Sequence, residues 1–175
     1  MQALDKATEL DPNSSLAWYV KGYGLAQLGK HNESIQAYDK AIKAQDTVKQ
    51  DWGEFFLIDS RFLYAVTWNE KGDVLNYQGK YDEAIKAYEK LSLRDSRFDE
   101  YFDDPYISKG VALEKLGRYN ESIQAYNKVI EIYPQDAEAW AGKGLAFNAL
   151  GRTTEANEAI DKAANFAHGR QELND

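Results

Sequence analysis

The stretch L-G-R-Y-N-E-S-I-Q-A-Y-N-K-V-I, from Leu116 to Ile130, decides the fold because the chain says it more than once. It reads L-G-K-H-N-E-S-I-Q-A-Y-D-K-A-I from Leu28, Q-G-K-Y-D-E-A-I-K-A-Y-E-K-L from Gln78 and L-G-R-T-T-E-A-N-E-A-I-D-K-A from Leu150. Ahead of each copy stands a Lys-Gly pair: Lys21-Gly22, Lys71-Gly72, Lys109-Gly110 and Lys143-Gly144. From Gly110 to Gly144 is 34 residues, and from Gly117 to Gly151 is again 34. A fixed period of this length marks a stack of supersecondary units, each burying its apolar face against its neighbours.

Each unit reads as two amphipathic helices. In the last, Trp140, Gly144, Phe147 and Leu150 recur at spacings of three and four, which is one face of a helix. Gly151 then suits the left-handed geometry that ends it. The second helix is expected to open on a polar cap such as Asn120 and to bury Ile123, Tyr126, Val129 and Ile130. Pro134 stops it, since proline cannot continue a helical ladder. The mid-helix glycines each cost about 1 kcal/mol relative to alanine. Their recurrence predicts a close approach of the two helices, with Ser34, Ala84, Ser122 or Ala156 as the facing small residue.

Composition narrows the function. With 43% apolar and 13% aromatic residues the chain builds a core. A net charge of -8 with no basic stripe argues against nucleic acid and against an anionic membrane surface as partners. It leaves a basic or neutral partner easier to accommodate. There is no cysteine, hence no disulfide framework and no thiolate metal site. No apolar run approaches the roughly 18 residues of a membrane span, and the first residues do not read as a signal peptide, so cytoplasmic residence is expected. The sequons at Asn13, Asn32 and Asn120 do not change that expectation, because the last two sit where a helix cap is wanted.

No catalytic constellation is legible. His31 and His168 are the two histidines, neither with a partner at metal-ligand spacing, and no nucleophile elbow, phosphate loop or dinucleotide fingerprint occurs. The acidic cluster Asp95, Asp99, Glu100, Asp103 and Asp104 lacks the alternation of a calcium loop and reads as a solvated linker. No catalytic residue, metal site or cofactor is expected, and the chain is expected not to be an enzyme.

The residues that recur resemble the tetratricopeptide repeat, a 34-residue helix pair with the pattern W-x2-L-G-x2-Y…A-x3-F…P. Trp18, Gly22, Leu25, Ser34, Tyr38 and Ala41 match in the first complete unit; Trp68, Gly72, Leu75, Ala84, Tyr88 and Leu91 in the second. Tyr106, Gly110, Leu113, Ser122, Tyr126, Val129 and Pro134 match in the third; Trp140, Gly144, Phe147, Ala156, Ile160 and Ala163 in the fourth. Where the family has leucine before the glycine, this chain has lysine four times. The resemblance implies an all-α, right-handed superhelix (an α-solenoid) of antiparallel helix-turn-helix repeats, as a single domain over residues 1–175. Its parts would be a second helix of a truncated leading repeat at 1–14, repeats at 15–48, 65–102, 103–136 and 137–170, an aromatic-rich insertion at 49–64 and a tail at 171–175.

The resemblance also implies a function. First helices line a concave groove, and a non-catalytic protein-protein interaction scaffold binding a peptide or protein segment there is expected. Carried over position by position, the groove would hold Tyr19, Tyr23, Asn69, Asp73, Asn76, Tyr77, Glu114 and Asn148, together with Ile107, Val111, Glu138, Ala141 and Leu145. This face offers almost no cation, so a clamp for a C-terminal carboxylate is not expected. The 16 residues inserted between Gly22 and Gly72 either lengthen helices or raise a wall of Trp52, Phe55 and Phe56 beside the groove. The alternative is an assembly module, cut from a longer array or self-associating as a homo-oligomer through its terminal helices, with Ala159, Ala163 and Phe166 uncovered.

Overall fold

Helix ends in this protein are built alike, and they set the architecture. In the computed structural model, which describes residues 1–48, 57–91 and 105–171, with side chains described at 1–45, 62–91 and 105–167, every Leu-Gly or Gln-Gly turn places its glycine at a positive φ near 70°. At Gly117 the Arg118 amide donates to the Leu113 carbonyl (2.9 Å) and the Gly117 amide to Glu114 (2.9 Å), which closes the helix and reverses the chain. The next helix starts two residues later. The same bonds recur at Gly29, Gly79 and Gly151.

The described residues form nine helices and no strand: α1 Gln2–Leu10, α2 Ser15–Gln27, α3 His31–Val48, α4 Leu57–Tyr77, α5 Tyr81–Tyr88, α6 Pro105–Lys115, α7 Tyr119–Ile132, α8 Ala137–Ala149 and α9 Thr153–Gln171. Consecutive helices pack as pairs, α2 on α3, α4 on α5, α6 on α7 and α8 on α9. The fold class is an all-α solenoid of antiparallel helix pairs. The chain divides into two compact units, Met1–Phe102 and Asp103–Asp175. In the first, Leu75, Ala84, Ala87 and Tyr88 form a core with Ile35, Trp68 and Leu91 against it. In the second, one cluster joins Ile123, Ala146, Phe147, Ala156 and Ala159, and another Tyr126, Val129 and Ala139, with Ile130 half-buried beside the latter.

The repeated glycines do allow close approach, but chiefly to a different residue from the one expected. A Cβ placed at Gly72 would lie 2.5 Å from Tyr88 Cε1, and one at Gly22 or Gly110 would meet Tyr38 or Tyr126 at 2.7 Å. The tyrosine one turn beyond the small residue leans back over the glycine, because helical side chains point toward the N-terminus. Only at Gly144 does the small residue, Ala156, stand among the nearest neighbours, next to Ile160. Ser34 still contributes: its hydroxyl donates to the Gly22 carbonyl at 2.7 Å.

Two of the lysines before those glycines stitch their helix pair to the preceding second helix. Lys21 pairs with Asp5 (2.7 Å) and Lys71 with Asp39 (2.6 Å), while their ammonium groups lie 5.1 and 4.9 Å from the Trp18 and Trp68 rings. Lys143 lies over Trp140 in the same way, but the corresponding acid on α7 is replaced by Asn127. Burial, then the nearby Lys162 and Arg152, push the Lys143 ammonium below its ordinary range. Asn127→Asp is therefore expected to stabilise the second unit by about 0.5–1 kcal/mol, read as a raised urea midpoint that declines with added salt.

Two further expectations need correction. Asn120 does not cap α7; the N-cap is Arg118, which makes no side-chain cap and instead grips Glu121 with two bonds of 2.6 and 2.7 Å. The Gly117 turn re-enters the helix one residue before Asn120, and the recurring glutamate of the repeat phrase serves this local ion pair, as also in Lys30–Glu33 and Arg152–Glu155. Ala159 and Ala163 are buried rather than uncovered, Ala159 within the core cluster that holds Phe147 on α8. Ile160 (43% exposed) and the half-buried Phe166 form the open apolar edge of α9. The insertion lengthens helices at both ends, α3 running to Val48 and α4 starting at Leu57, whereas Trp52, Phe55 and Phe56 lie outside the described residues. So do the acidic cluster at 95–104 and the side chain of His168.

Candidate interaction site

Within each unit the first helices lie side by side, α2 against α4 and α6 against α8. They are held in place by indole ties and side-chain caps. Ser14 accepts from the Ala17 amide (3.2 Å) and Asp136 from the Ala139 amide (2.7 Å), each opening a first helix. Trp18 Nε1 donates to the Pro12 carbonyl and Trp140 Nε1 to the Pro134 carbonyl, both at 2.8 Å. The insertion removes the equivalent proline before α4, and the buried Trp68 Nε1 has no partner among the described residues.

On the first unit's face, Tyr19 is half-buried with its ring 6.1 Å from Tyr38, and Tyr23 stands 45% exposed. Burial, together with the Glu70 carboxylate and then Tyr23, pushes the Tyr19 hydroxyl up to about 12, so it is a neutral donor at all ordinary pH. Asn69 is 6% exposed and donates from Nδ2 to Asp73 Oδ2 (3.1 Å); Asp73 also accepts from the Tyr88 hydroxyl (2.7 Å). Asn76 is half-buried, and Tyr77 projects 79% exposed with its ring 4.8 Å from that of His31. Six of the expected residues thus fall on α2 and α4. Two of the six, Asn69 and Asp73, are already engaged with the core.

In the second unit Glu114 on α6 faces inward more than outward. It accepts from Ser122 Oγ (3.4 Å) and from the Tyr126 hydroxyl, and burial raises its carboxyl above the ordinary range while those two bonds oppose the shift. Burial and the same Glu114 push the Tyr126 hydroxyl up. Asn148, Glu138 and Leu145 are exposed along α8, and Ile107, Val111 and Ala141 are half-buried. Among the described residues no three His, Cys, Asp or Glu side chains come together as a metal site, and no helix is long and apolar enough to cross a membrane.

Two family models, both described as tetratricopeptide repeat, match this chain, one over residues 63–135 and the other over 2–48 and 107–170. The second alone spans more than half of it. The chain belongs to the tetratricopeptide repeat family. Tetratricopeptide repeats mediate protein–protein contact, and the helix pairs described above form an interaction scaffold of that general kind. No curated protein matches the chain at a significant level. Among solved structures it is similar to a crystal structure of MamA, with 22% identity over 98% of this chain and 88% of that one, at a TM-score of 0.77. It is also similar to MamA (41-end) from Desulfovibrio magneticus RS-1, with 17% identity over 96% and 84% and a TM-score of 0.75. At these identities the likeness is one of fold.

Tyr38 and Glu70, not among the expected groove residues, stand next to Tyr19: the Tyr38 ring is 6.1 Å away and the Glu70 carboxylate acts on the Tyr19 hydroxyl. Tyr38 sits on a second helix and was read as packing. The available signal is that Tyr88 and Tyr126 each have an acid one or four residues after the facing glycine (Asp73, Glu114), while Tyr38 faces a helix with Tyr23 and Ala26 there.

Proposed function

We infer that this tetratricopeptide repeat domain is a non-catalytic scaffold that binds an extended or helical protein segment on the exposed face of its first helices, with α2 and α4 as the main contact surface. The observation that carries the reading is the pairing of exposed tyrosines, Tyr23 and Tyr77, with amide and carboxylate groups on the same two helices. Tyrosine gives rigid amphipathic contact at small entropic cost, and side-chain amides hydrogen-bond a peptide backbone. The absence of lysine or arginine from the recurring face positions of α2 and α4 favours a neutral or basic segment over an acidic one. Helices already held by caps, ion pairs and interlocked rings present this surface with little further ordering on binding.

A peptide array probed with the whole chain, then with Tyr23→Ala and Asn76→Ala, tests this. Each substitution is expected to weaken selected peptides about tenfold, roughly 1.4 kcal/mol, with thermal stability unchanged. Selected peptides that bind both variants as tightly as the parent would sink the reading.

A further inference from the structure

Trp18 and Trp140 stand at the same place in the first and fourth repeats, and each indole has two lysines of its own repeat over it. Lys21 and Lys40 lie 5.1 and 4.1 Å from the Trp18 ring centre, and Lys143 and Lys162 lie 4.9 and 4.2 Å from that of Trp140. In the first repeat the preceding second helix completes the arrangement with a carboxylate, Asp5 meeting Lys21 at 2.7 Å. In the second, Asp39 on α3 meets Lys71 at 2.6 Å beside Trp68. That acid is part of the repeat phrase, which reads Asp5-Lys6, Asp39-Lys40, Glu89-Lys90 and Asp161-Lys162 at this point, but Asn127-Lys128 on α7. Only α7, the helix ahead of Trp140, has an amide there.

Around Trp140 this leaves positive charge in excess. Lys143 shares the side of α8 that carries Trp140 and Phe147, and the Arg152 guanidinium, just ahead of α9, lies 4.4 Å from the Phe147 ring. The charges acting on Lys143 are those of Lys162 and Arg152, opposed by Glu155. Glu155 is already engaged, accepting two bonds from Arg152. Among the described residues neither Lys143 nor Lys162 makes an ion pair, and the Asn127 side chain makes no hydrogen bond. The place is open at the surface. Asn127 and Lys143 are half-buried, Lys162 is exposed, and the acids that fill the matching places, Asp5 and Asp39, keep 47% and 53% of their side chains exposed. A carboxylate from outside therefore reaches it without a cavity.

We propose that Lys143, with Lys162 and Asn127 beside it, is a docking site for an aspartate or glutamate side chain of a partner protein, seated as Asp5 is on Lys21 and Asp39 on Lys71. Each ammonium has three N–H donors and no acceptor, and the Asn127 amide adds two donors, whereas an ionised carboxylate only accepts. The indole holds the two lysines near each other by attraction to its face, so the carboxylate meets charge that is already gathered. The site lies on the opposite side of α8 from the exposed Glu138 and Leu145, and in a different unit from α2 and α4. It is thus a second contact, additional to the first-helix face and opposite to it in charge preference.

The test is an NMR titration of the 15N-labelled chain with acetyl-Gly-Gly-Asp-Gly-Gly-amide, its asparagine counterpart, and acetyl-pentaglycine bearing a free terminal carboxylate, read at the indole N–H signals of Trp140 and Trp18. The aspartate peptide is expected to give a saturable shift at Trp140 and none at Trp18, whose lysine is already paired; the asparagine peptide should give neither. Asn127→Asp, which supplies the acid from the chain itself, is expected to weaken aspartate-peptide binding about fivefold while raising the urea midpoint, and Lys162→Gln to weaken it about threefold with an unchanged melting temperature. Lysines that serve only to cover the indole would leave binding to the Asn127→Asp protein as it was. No saturable shift at Trp140, an equal shift at Trp18, equal binding of the asparagine peptide, or an affinity unaltered by both substitutions overturns the site. Tighter binding of the free-acid pentaglycine overturns the assignment to a side chain. Each of these failures leaves the reading of α2 and α4 standing, since that face is mapped with its own peptides.

Discussion

Tyr126→Ala is expected to destabilise the 103–175 unit by about 4 kcal/mol, as buried aromatic truncations generally do. The ring is 1% exposed and lies between two backbones: a Cβ on Gly110 or on Gly142 would come within 2.7 Å of its atoms. It therefore fills a slot cut to its shape by three helices, α6, α7 and α8, along with Val129 and Ala139. Removing it leaves a cavity that glycine backbones cannot collapse to fill. It also takes the hydroxyl from Glu114, a half-buried carboxylate already raised by burial. Urea denaturation followed by far-UV circular dichroism measures the loss; a change below about 1.5 kcal/mol would show that the slot relaxes, contrary to the packing described.

Gly72→Ala is expected to cost about 2 kcal/mol in the first unit, although alanine is the better helix former. Propensity favours the change by about 1 kcal/mol. Against it stands overpacking of about 3 kcal/mol, the upper end of the usual range, because the added carbon would lie 2.5 and 2.9 Å from ring atoms of Tyr88. That ring cannot swing away cheaply, since it is buried and its hydroxyl is tied to Asp73. Tyr88→Leu introduced with Gly72→Ala should recover part of the loss, a coupling that a double-mutant cycle reads directly. A Gly72→Ala protein as stable as the parent would mean that the glycine is not there for the ring.

How much of this was legible follows from what the repeat phrase encodes. Spacing alone placed the helix pairs, and the glycines at 29, 79, 117 and 151 were readable as turns because a positive φ is a local property of one residue. The partner of Gly72 was not, because whether Ala84 or Tyr88 meets it depends on how a side chain leans across an interface. Asn120 failed as a cap for a similar reason: the residue type suits the role, but the Gly117 turn begins the helix at Tyr119. Site residues were legible by position and not by state. Tyr23 and Tyr77 are as open as a groove residue should be, whereas Asn69 is nearly closed and Glu114 is occupied by Tyr126.

The central claim is that the first-helix face of this tetratricopeptide repeat domain is where a partner segment binds. Amide chemical-shift mapping of the 15N-labelled chain with the tightest array-selected peptide tests it most directly. The account predicts perturbations concentrated on α2 and α4, with Tyr19, Tyr23, Asn69 and Asn76 among the largest. Perturbations confined to the outer faces of α3 and α5, or to α9 around Ile160, would contradict it.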